Sequence, residues 1–452
     1  MRGNLYRRLW RWHFYAGLAV IPFILVLSLT GAMFLFKPQL DRWEERAFRD
    51  LAPGVEVAPS LQRAAALAAR PGAMLHSWRL PERPGDAAMA HLMLADGTME
   101  DLFIAPSGQV LGAMAPEGRA SAVIQRIHGQ LLAGRFGAWL VEAAGSWAIV
   151  LVVTGLCLWW PRGTGSGKGL ARWPGAGVVW PRLAAGRRVL WRDLHAVTGF
   201  WVSGLALVLL VTALPWTGLW GAGFKALREQ AGWVKGAQDW PTGGQPPAGE
   251  GLHAAHDHHA MAGMHHPPAP PSTATAGDAR VFDVVIARAR SEHLAFPVLV
   301  VPPGPRAAHW TVRSEAQNRP LRATLTYDAV TARPINRETF AQKHPIDRVV
   351  GYGIAWHEGQ LFGWANQLVG LVTALMIVVL ALTGFVQWRR RKPADALGVP
   401  PPPAESLGKA ALAVLILLGL VLPMLALSLL VLAAGEGLAR RLSPRAARWL
   451  SG

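Results

Sequence analysis

The stretch that decides the fold is residues 127–162, IHGQLLAGRFGAWLVEAAGSWAIVLVVTGLCLWWPR, in which a histidine precedes a long apolar run that ends in tryptophans and an arginine. A second copy is residues 356–391, WHEGQLFGWANQLVGLVTALMIVVLALTGFVQWRRR. The histidine, His128 or His357, is equally far from a Thr-Gly pair near the end of the run in both copies. A histidine repeated at the edge of a membrane-length segment is the main clue to function.

The composition is that of a protein with several membrane spans. Of the 452 residues, 52% are hydrophobic, only 16% are charged and 21 are tryptophan. The net charge of +17 gathers beside the apolar runs and forms no aromatic-interleaved patch, so it indicates membrane topology and not nucleic-acid binding. Cys157 is the single cysteine, which excludes an internal disulfide, a cysteine zinc site and covalent haem attachment.

Five apolar runs are long enough to cross a hydrocarbon core of ~30 Å. The first run also fits a cleaved signal peptide, although no convincing small-residue cleavage site follows it. In chain order we predict an N-terminal segment with span one (1–36), an exported module (37–137), span two (138–160), a basic loop (161–196), span three (197–219), a second exported module (220–364), span four (365–388), a linker (389–409), span five (410–434) and a tail (435–452).

Basic residues predict which side of the membrane each loop faces. Residues 161–193 carry seven Lys/Arg and one acidic residue, and residues 389–392 are all basic. The positive-inside rule puts both segments and the N-terminus in the cytoplasm, and both long modules in the periplasm. The arginine-rich tail would then face the periplasm, so either span five is not a true crossing or the earlier charges dominate.

Each exported module reads as a helix followed by alternating strands, placed between two spans. The predicted fold class is a mainly α-helical membrane protein, in which a duplicated unit has two transmembrane helices and an inserted periplasmic α+β module, with a fifth C-terminal helix. Residues 241–278 of the second module are rich in Pro, Gly and Ala, and are predicted to be disordered without a ligand.

Four histidines recur at matched offsets in the two halves. His13 and His195 are each followed by a glycine four residues later and a threonine seventeen residues later, and topology puts both on the cytoplasmic side. His128 and His357 fall on the outer side. Two imidazoles per membrane face predict two bis-histidine haem b groups, an arrangement that favours electron transfer. The alternative is an interfacial belt of histidines and tryptophans.

Two further sets of residues are candidates for binding. Arginines 126, 192 and 348 could contact haem propionates. The disordered insertion combines imidazole and thioether groups that suit copper, with nickel or zinc as alternatives. A solvated linker that binds metal only incidentally is equally open. The candidate metal ligands in this insertion are His253, His256, His258, His259, Met261, Met264, His265 and His266.

No nucleotide-binding, protease or hydrolase motif stands in a credible context, and no residue is assigned a catalytic role. The cytoplasmic loops are too short for a flavin domain. Electrons for a redox reaction would therefore come from a separate cytoplasmic-side donor, either a protein or a quinol.

Several segments together resemble the PepSY-associated transmembrane proteins of Gram-negative inner membranes, which include iron-regulated siderophore reductases. They are WHFYAGL, IHGQLLAGRFG, TGLCLWWPR, WRDLHAVTGFW, GIAWHEGQLFGW and LTGFVQWRRR, and the resemblance covers residues 4–392. It implies a b-haem protein that reduces ferric iron, often siderophore-bound, in the periplasm, with His13, His128, His195 and His357 as haem ligands. The His/Met insertion and the fifth span are departures from the family.

The leading hypothesis is a bacterial inner-membrane di-haem b oxidoreductase that reduces a periplasmic ferric chelate. Another is a membrane-anchored periplasmic protein that binds or handles copper or another metal without redox catalysis. A third is a PepSY-type module that inhibits a protease, for which the sequence offers no specific residue.

Overall fold

The structure, a computed structural model, describes residues 3–160, 175–233, 276–304, 308–394, 396–399 and 409–442. Its helices are α1 (Gly3–Phe34), α2 (Lys37–Glu44), α3 (Pro59–Ala68), α4 (Ala120–Gln130), α5 (Gly134–Trp159), α6 (Arg187–Ala213), α7 (Leu219–Gln230), α8 (Ala276–Ser291), α9 (Pro345–His357), α10 (Trp364–Arg391), α11 (Lys409–Val421) and α12 (Pro423–Leu442). Its strands are β1 (Met74–Arg79), β2 (Ala88–Met93), β3 (Met99–Ile104), β4 (Val110–Met114), β5 (Val298–Val301), β6 (His309–Ser314), β7 (Ala323–Asp328) and β8 (Pro334–Thr339).

Four of the described helices are long and apolar enough to cross a membrane. The most apolar windows of α1, α5, α6 and α10 have mean hydropathies of 2.2, 1.9, 2.1 and 2.6. About 20 such residues, at ~1.5 Å each, span the hydrocarbon core. They form a bundle in which α1 packs against α5 and α10, and α6 packs against the same two helices. The chain is a membrane protein, as predicted.

The strands of the two predicted α+β modules form one antiparallel sheet, in the order β4-β3-β2-β1-β5-β6-β7-β8. β1 of the first module pairs with β5 of the second, with Trp78 opposite Val300 and Arg79 opposite Leu299. We predicted two small modules, because the alternation of apolar residues identifies a strand but not a partner so distant in the sequence.

Helices α3 and α8, one from each module, cover one face of the sheet. Trp78 of β1 and Phe282 of α8 are both fully buried and meet edge to face, with ring centroids 5.8 Å apart. Ser60 at the start of α3 donates its backbone N–H and its hydroxyl to the carboxylate of Asp283 on α8, each at 2.7 Å. The two modules therefore share one core.

Short helices connect the sheet to the bundle. α4 follows β4 and packs against α1 and α5, while α9 follows β8 and packs against α6. Glu44 of α2 accepts the backbone N–H of Ala120 at 2.9 Å, and Ser121 donates to Asp41 at 2.6 Å. These contacts fix the start of α4 on α2. We call the end of the bundle next to the sheet the sheet side, and the opposite end the far side.

The predicted fifth helix, 410–434, is instead two helices that meet at Leu422. A Cβ built on Gly419 would lie 3.1 Å from the Cβ of Ala426, although seven residues of continuous helix would separate them by ~10 Å. The chain therefore bends back at Pro423, whose ring cannot continue the helix of the preceding turn. Trp220, which follows α6 on the sheet side, donates to the carbonyl of Val421 at 3.0 Å.

From this bend α12 runs beside α5 toward the far side. Trp147 of α5 donates to the hydroxyl of Ser428 at 2.9 Å, and Glu436 acts electrostatically on Tyr15, in the far-side half of α1. Arg441 therefore lies on the same side as Arg391. The tail arginines conflict with the positive-inside rule only when residues 410–434 are taken as one crossing.

Candidate functional site: two histidine pairs

The structure brings the four predicted histidines together as two pairs. His13 of α1 and His195 of α6 form the far-side pair, with ring centroids 6.4 Å apart and ring planes at 83°. His128 of α4 and His357 of α9 form the sheet-side pair, with centroids again 6.4 Å apart and planes at 67°. Each pair joins one histidine from each half of the chain.

Each imidazole is held by a threonine on a neighbouring helix. Each ring also bonds a backbone carbonyl: that of Leu380 for His195 and that of Leu209 for His357, both at 3.0 Å, and those of Leu151 and Leu27 for His13 and His128. The distances from histidine Nδ1 to threonine Oγ1 are 3.0 Å for His13–Thr154, 3.0 Å for His128–Thr30, 3.2 Å for His195–Thr383 and 3.3 Å for His357–Thr212.

The threonines determine which ring nitrogen carries the proton. Each threonine hydroxyl donates to the carbonyl four residues earlier at 2.7 Å, so its oxygen can only accept from the histidine. Nδ1 must therefore be the N–H donor, and in the neutral ring Nε2 keeps its lone pair. Among the described residues, every hydrogen bond of these four rings is made by Nδ1. Such second contacts orient metal-ligating histidines.

The sheet-side pair lies outside the long helices, in a weakly solvated position. Loss of solvation, and next the neighbouring His128, lower the pKa of His357 to about 4. Loss of solvation also lowers the pKa of His128. The loss of solvation therefore favours the neutral form of both rings, which is the form that binds a metal.

Glycines beside three of the threonines leave room for the histidine rings. A Cβ built on Gly31 would lie 3.0 Å from Cε1 of His128, and one on Gly155 or Gly384 would lie 3.2 Å from the ring it faces. Gly17 and Gly199, which follow His13 and His195 by four residues, face leucine side chains on the neighbouring helices. The matched offset of the threonine–glycine pairs is the sequence signal for the glycines that do face the rings.

Tryptophans make contacts at both ends of the bundle, by hydrogen bonds at the far side and by a ring contact on the sheet side. At the far side, Trp159 donates to the carbonyl of Val178 at 2.8 Å, and Trp388 donates to that of Leu397 at 3.0 Å. Each thus holds the segment that follows its own helix. On the sheet side, Trp216 meets His357 edge to face, with centroids 5.4 Å apart.

The other predicted site residues are three arginines and the His/Met insertion. Arg192 pairs with Asp193 at 2.6 Å, a carboxylate that it shares with Arg182. Arg126 is on α4 and Arg348 on α9, and neither makes a salt bridge to a residue within the described ranges. The eight His/Met residues of 253–266 lie outside the described residues. Within the part of the chain that the structure describes, no group of three or more His, Cys, Asp or Glu is placed to hold a metal ion.

Each pair has the spacing of two ligands on one metal ion. A metal–imidazole bond is about 2 Å long, so two such bonds on opposite sides of an ion, with the radius of each ring added, bring the centroids to about 6 Å. The centroid distance of 6.4 Å in both pairs agrees with this value. The spacing and tautomer of each pair would therefore suit two histidines that hold one haem iron.

The sequence matches the model of the family described as PepSY-associated TM region, over residues 10–391. The matched range includes all four histidines and their threonine partners. No curated protein matches the chain significantly.

Proposed function

The chain belongs to the PepSY-associated TM family, and on that premise we propose that it is a di-haem b oxidoreductase of the bacterial inner membrane. It would pass electrons across the membrane to a ferric chelate, such as a siderophore complex, in the periplasm. The observation that carries the proposal is the pairing of four histidines at equal centroid distances, each with Nδ1 held by a threonine.

The depth of the two pairs supports transfer across the bilayer. On α1, His13 belongs to the far-side pair and Thr30 holds the sheet-side pair, and these seventeen residues of helix measure about 25 Å. The far-side arginines support a cytoplasmic far side and a periplasmic sheet. The proposed direction is from a cytoplasmic-side protein or quinol, through His13/His195 and then His128/His357, to the substrate.

The residues of the chain determine what each site can do. Bound haem supplies one-electron transfer. His13 with His195, and His128 with His357, would each hold one haem through two imidazoles, which would favour electron transfer over oxygen binding. The threonines keep each Nε2 available as ligand, and the helices keep the rings apart. Reduction of the substrate to Fe(II) would release it, because hard oxygen ligands hold Fe(III) better.

The matched contacts also support the predicted duplication. In the first half, α1 and α5 with α4 exchange two histidine–threonine bonds, and in the second half α6 and α10 with α9 do the same. A repeated unit of two spans would give this arrangement, with one ligand of each pair coming from each unit.

We expect purified full-length protein to hold two haems per chain in a pyridine haemochrome assay. Single alanine variants of His13, His195, His128 and His357 should each retain about one, because a lone axial imidazole holds haem weakly. His293→Asn is the control, since His293 is exposed on the sheet module with φ 48°, which asparagine tolerates. Two haems in all four variants, or none in the wild type, would contradict the proposal.

We expect deletion of residues 251–268 to leave both haems and chelate reduction intact. The four histidines and their threonine partners lie outside that segment. The measurements are haem content and the rate of Fe(II) release from a model ferric chelate, with copper binding assayed in parallel. A protein that binds copper stoichiometrically but loses this copper on deletion, and holds no haem, would favour the alternative function.

A further inference from the structure

Two far-side arginines lie on the same helix faces as the far-side pair. Arg188 precedes His195 by seven residues on α6. Arg391 follows Gly384 by seven residues on α10, and Gly384 faces the ring of His195. Seven residues are close to two helical turns. Each arginine therefore lies on the same helix face as the contact between His195 and Gly384, about 10 Å closer to the far side.

The two arginines lie at the same level on neighbouring helices. Helix α6 packs against α10, and Arg188 and Arg391 are each seven residues from the contact between His195 and Gly384, so their like charges repel. Neither makes a salt bridge to a residue within the described ranges, whereas nearby Arg182 and Arg192 share Asp193. Two neighbouring cations without a carboxylate favour the binding of an anion between them.

The positive-inside rule does not account for this placement. That rule counts basic residues near a span and is indifferent to the helix face they occupy. Arg389 and Arg390 satisfy it equally well, yet at ~100° per residue they point more than 100° away from the face of Gly384. Arg391 is thus distinguished by direction from Arg389 and Arg390, its neighbours on α10.

We propose that Arg188 and Arg391 bind the two propionate carboxylates of the far-side haem. The inference rests on the proposed function and adds the orientation of one haem, with its acidic edge toward the far side between α6 and α10. Guanidinium and carboxylate form paired N–H···O bonds of good geometry. A lipid phosphate at the membrane surface has the same chemistry, and the experiment separates these two anions.

The test compares Arg188→Gln/Arg391→Gln with a control pair, Arg187→Gln/Arg389→Gln, which removes equal charge from other faces. Spectroelectrochemical titration of the full-length holoprotein gives the midpoint potential of each haem. The far-side haem is identified as the one that is lost in His195→Ala. In Arg188→Gln/Arg391→Gln we expect the midpoint potential of this haem to fall by about 59 mV, so that its reduced-to-oxidised ratio at fixed potential falls about tenfold. Loss of cationic charge disfavours the added electron. Arg391→Lys should recover part of the shift, and the control pair should show a clearly smaller one.

Two further arms identify the anion. Apoprotein is loaded with haem or with haem dimethyl ester, whose esterified propionates carry no charge. The effect of the arginine variants should disappear with the ester. The same titration is run in nanodiscs of neutral or anionic lipid. A shift that persists with the ester and requires anionic lipid would assign the arginines to lipid phosphate and overturn the proposal.

The remaining outcomes are equally distinct. A haem-bearing double variant with unchanged potentials, or with a shift no larger than the control pair, overturns this inference and leaves the proposed function standing. A wild-type protein that binds no haem overturns both. Because haem content is measured in the same samples, a variant that merely misfolds is recognised by the loss of both haems, and Arg391→Lys then provides the decisive comparison.

Discussion

Replacement of Glu45 by alanine is expected to destabilise the protein by about 3–5 kcal/mol, because two guanidinium groups lose their carboxylate in a buried position. Glu45 is 3% exposed. Its two oxygens bind Arg79 of β1 at 2.8 and 2.7 Å, and Arg119, which precedes α4, at 2.7 Å. The loss should lie toward the lower end of that range, since Arg119 keeps Asp101 at 3.3 Å.

The same ion cluster should make stability depend on acid. Burial alone would raise the pKa of Glu45, but Arg79 and Arg119 outweigh burial and lower it below the ordinary value of 4.5. A depressed carboxyl pKa contributes stability above the unfolded value, and this contribution is lost as the pH falls through the folded value. The contribution is therefore fully present at neutral pH.

The matched control for this prediction is Glu56→Ala. Glu56 also pairs with an arginine, Arg290, at 3.0 Å, but both side chains are about half exposed, so we expect less than about 1 kcal/mol. Denaturant unfolding of the full chain in detergent, followed by tryptophan fluorescence, measures both. Similar losses for the two variants would show that burial of the Glu45 cluster has no energetic consequence.

The second large effect is expected from the threonines. Thr383→Val should weaken haem retention at the far-side pair about tenfold, and together with Thr154→Val up to about a hundredfold, the range found for second contacts of metal ligands. Valine keeps the shape but cannot accept from Nδ1. The effect of Thr383→Val stays moderate because the carbonyl of Leu380 still lies 3.0 Å from Nδ1 of His195.

Thr373→Val separates this effect from a general change in helix α10. Thr373 is buried and donates to the carbonyl of Val369 at 2.7 Å, as the histidine-binding threonines do to theirs. Among the hydrogen bonds of the described residues, Thr373 makes none to the four histidines. Transfer of haem to an excess of a scavenging apoprotein, followed by absorbance, gives the retention. Equal haem loss from Thr373→Val and Thr383→Val would remove the proposed role of the threonine–histidine bond.

The sequence was sufficient for the histidine pairs because sidedness and matched spacing are linear properties. His13 and His195 have the same offsets to a glycine and a threonine, and the positive-inside rule predicts the same membrane side for both. The sequence therefore predicted that these two histidines pair, without any knowledge of distances. The partner threonines were not assigned, because the threonine that holds each histidine lies far away in the sequence. Only helix packing brings Thr154 beside His13.

The C-terminal region shows a different limit of sequence reasoning. Residues 410–434 have the length and hydropathy of one span, and Pro423 alone is compatible with a kink. What makes the bend sharp is its contact with Trp220 and the run of α12 along α5, through Trp147. These are tertiary contacts, and they override the hydropathy of the segment. In the sequence, the arginines of the tail were the feature that indicated that residues 410–434 do not form a single crossing.

The strand junction at the centre of the sheet has a consequence for biosynthesis. Arg79 pairs with Leu299, so β1 remains an edge strand for roughly 220 further residues of synthesis, or about 10–40 s at ~5–20 residues per second. An unpaired strand edge is prone to pairing with another chain. The first half of the sheet therefore keeps an open edge until the second half of its own polypeptide has been synthesised. Rapid insertion of the later helices would shorten that exposure.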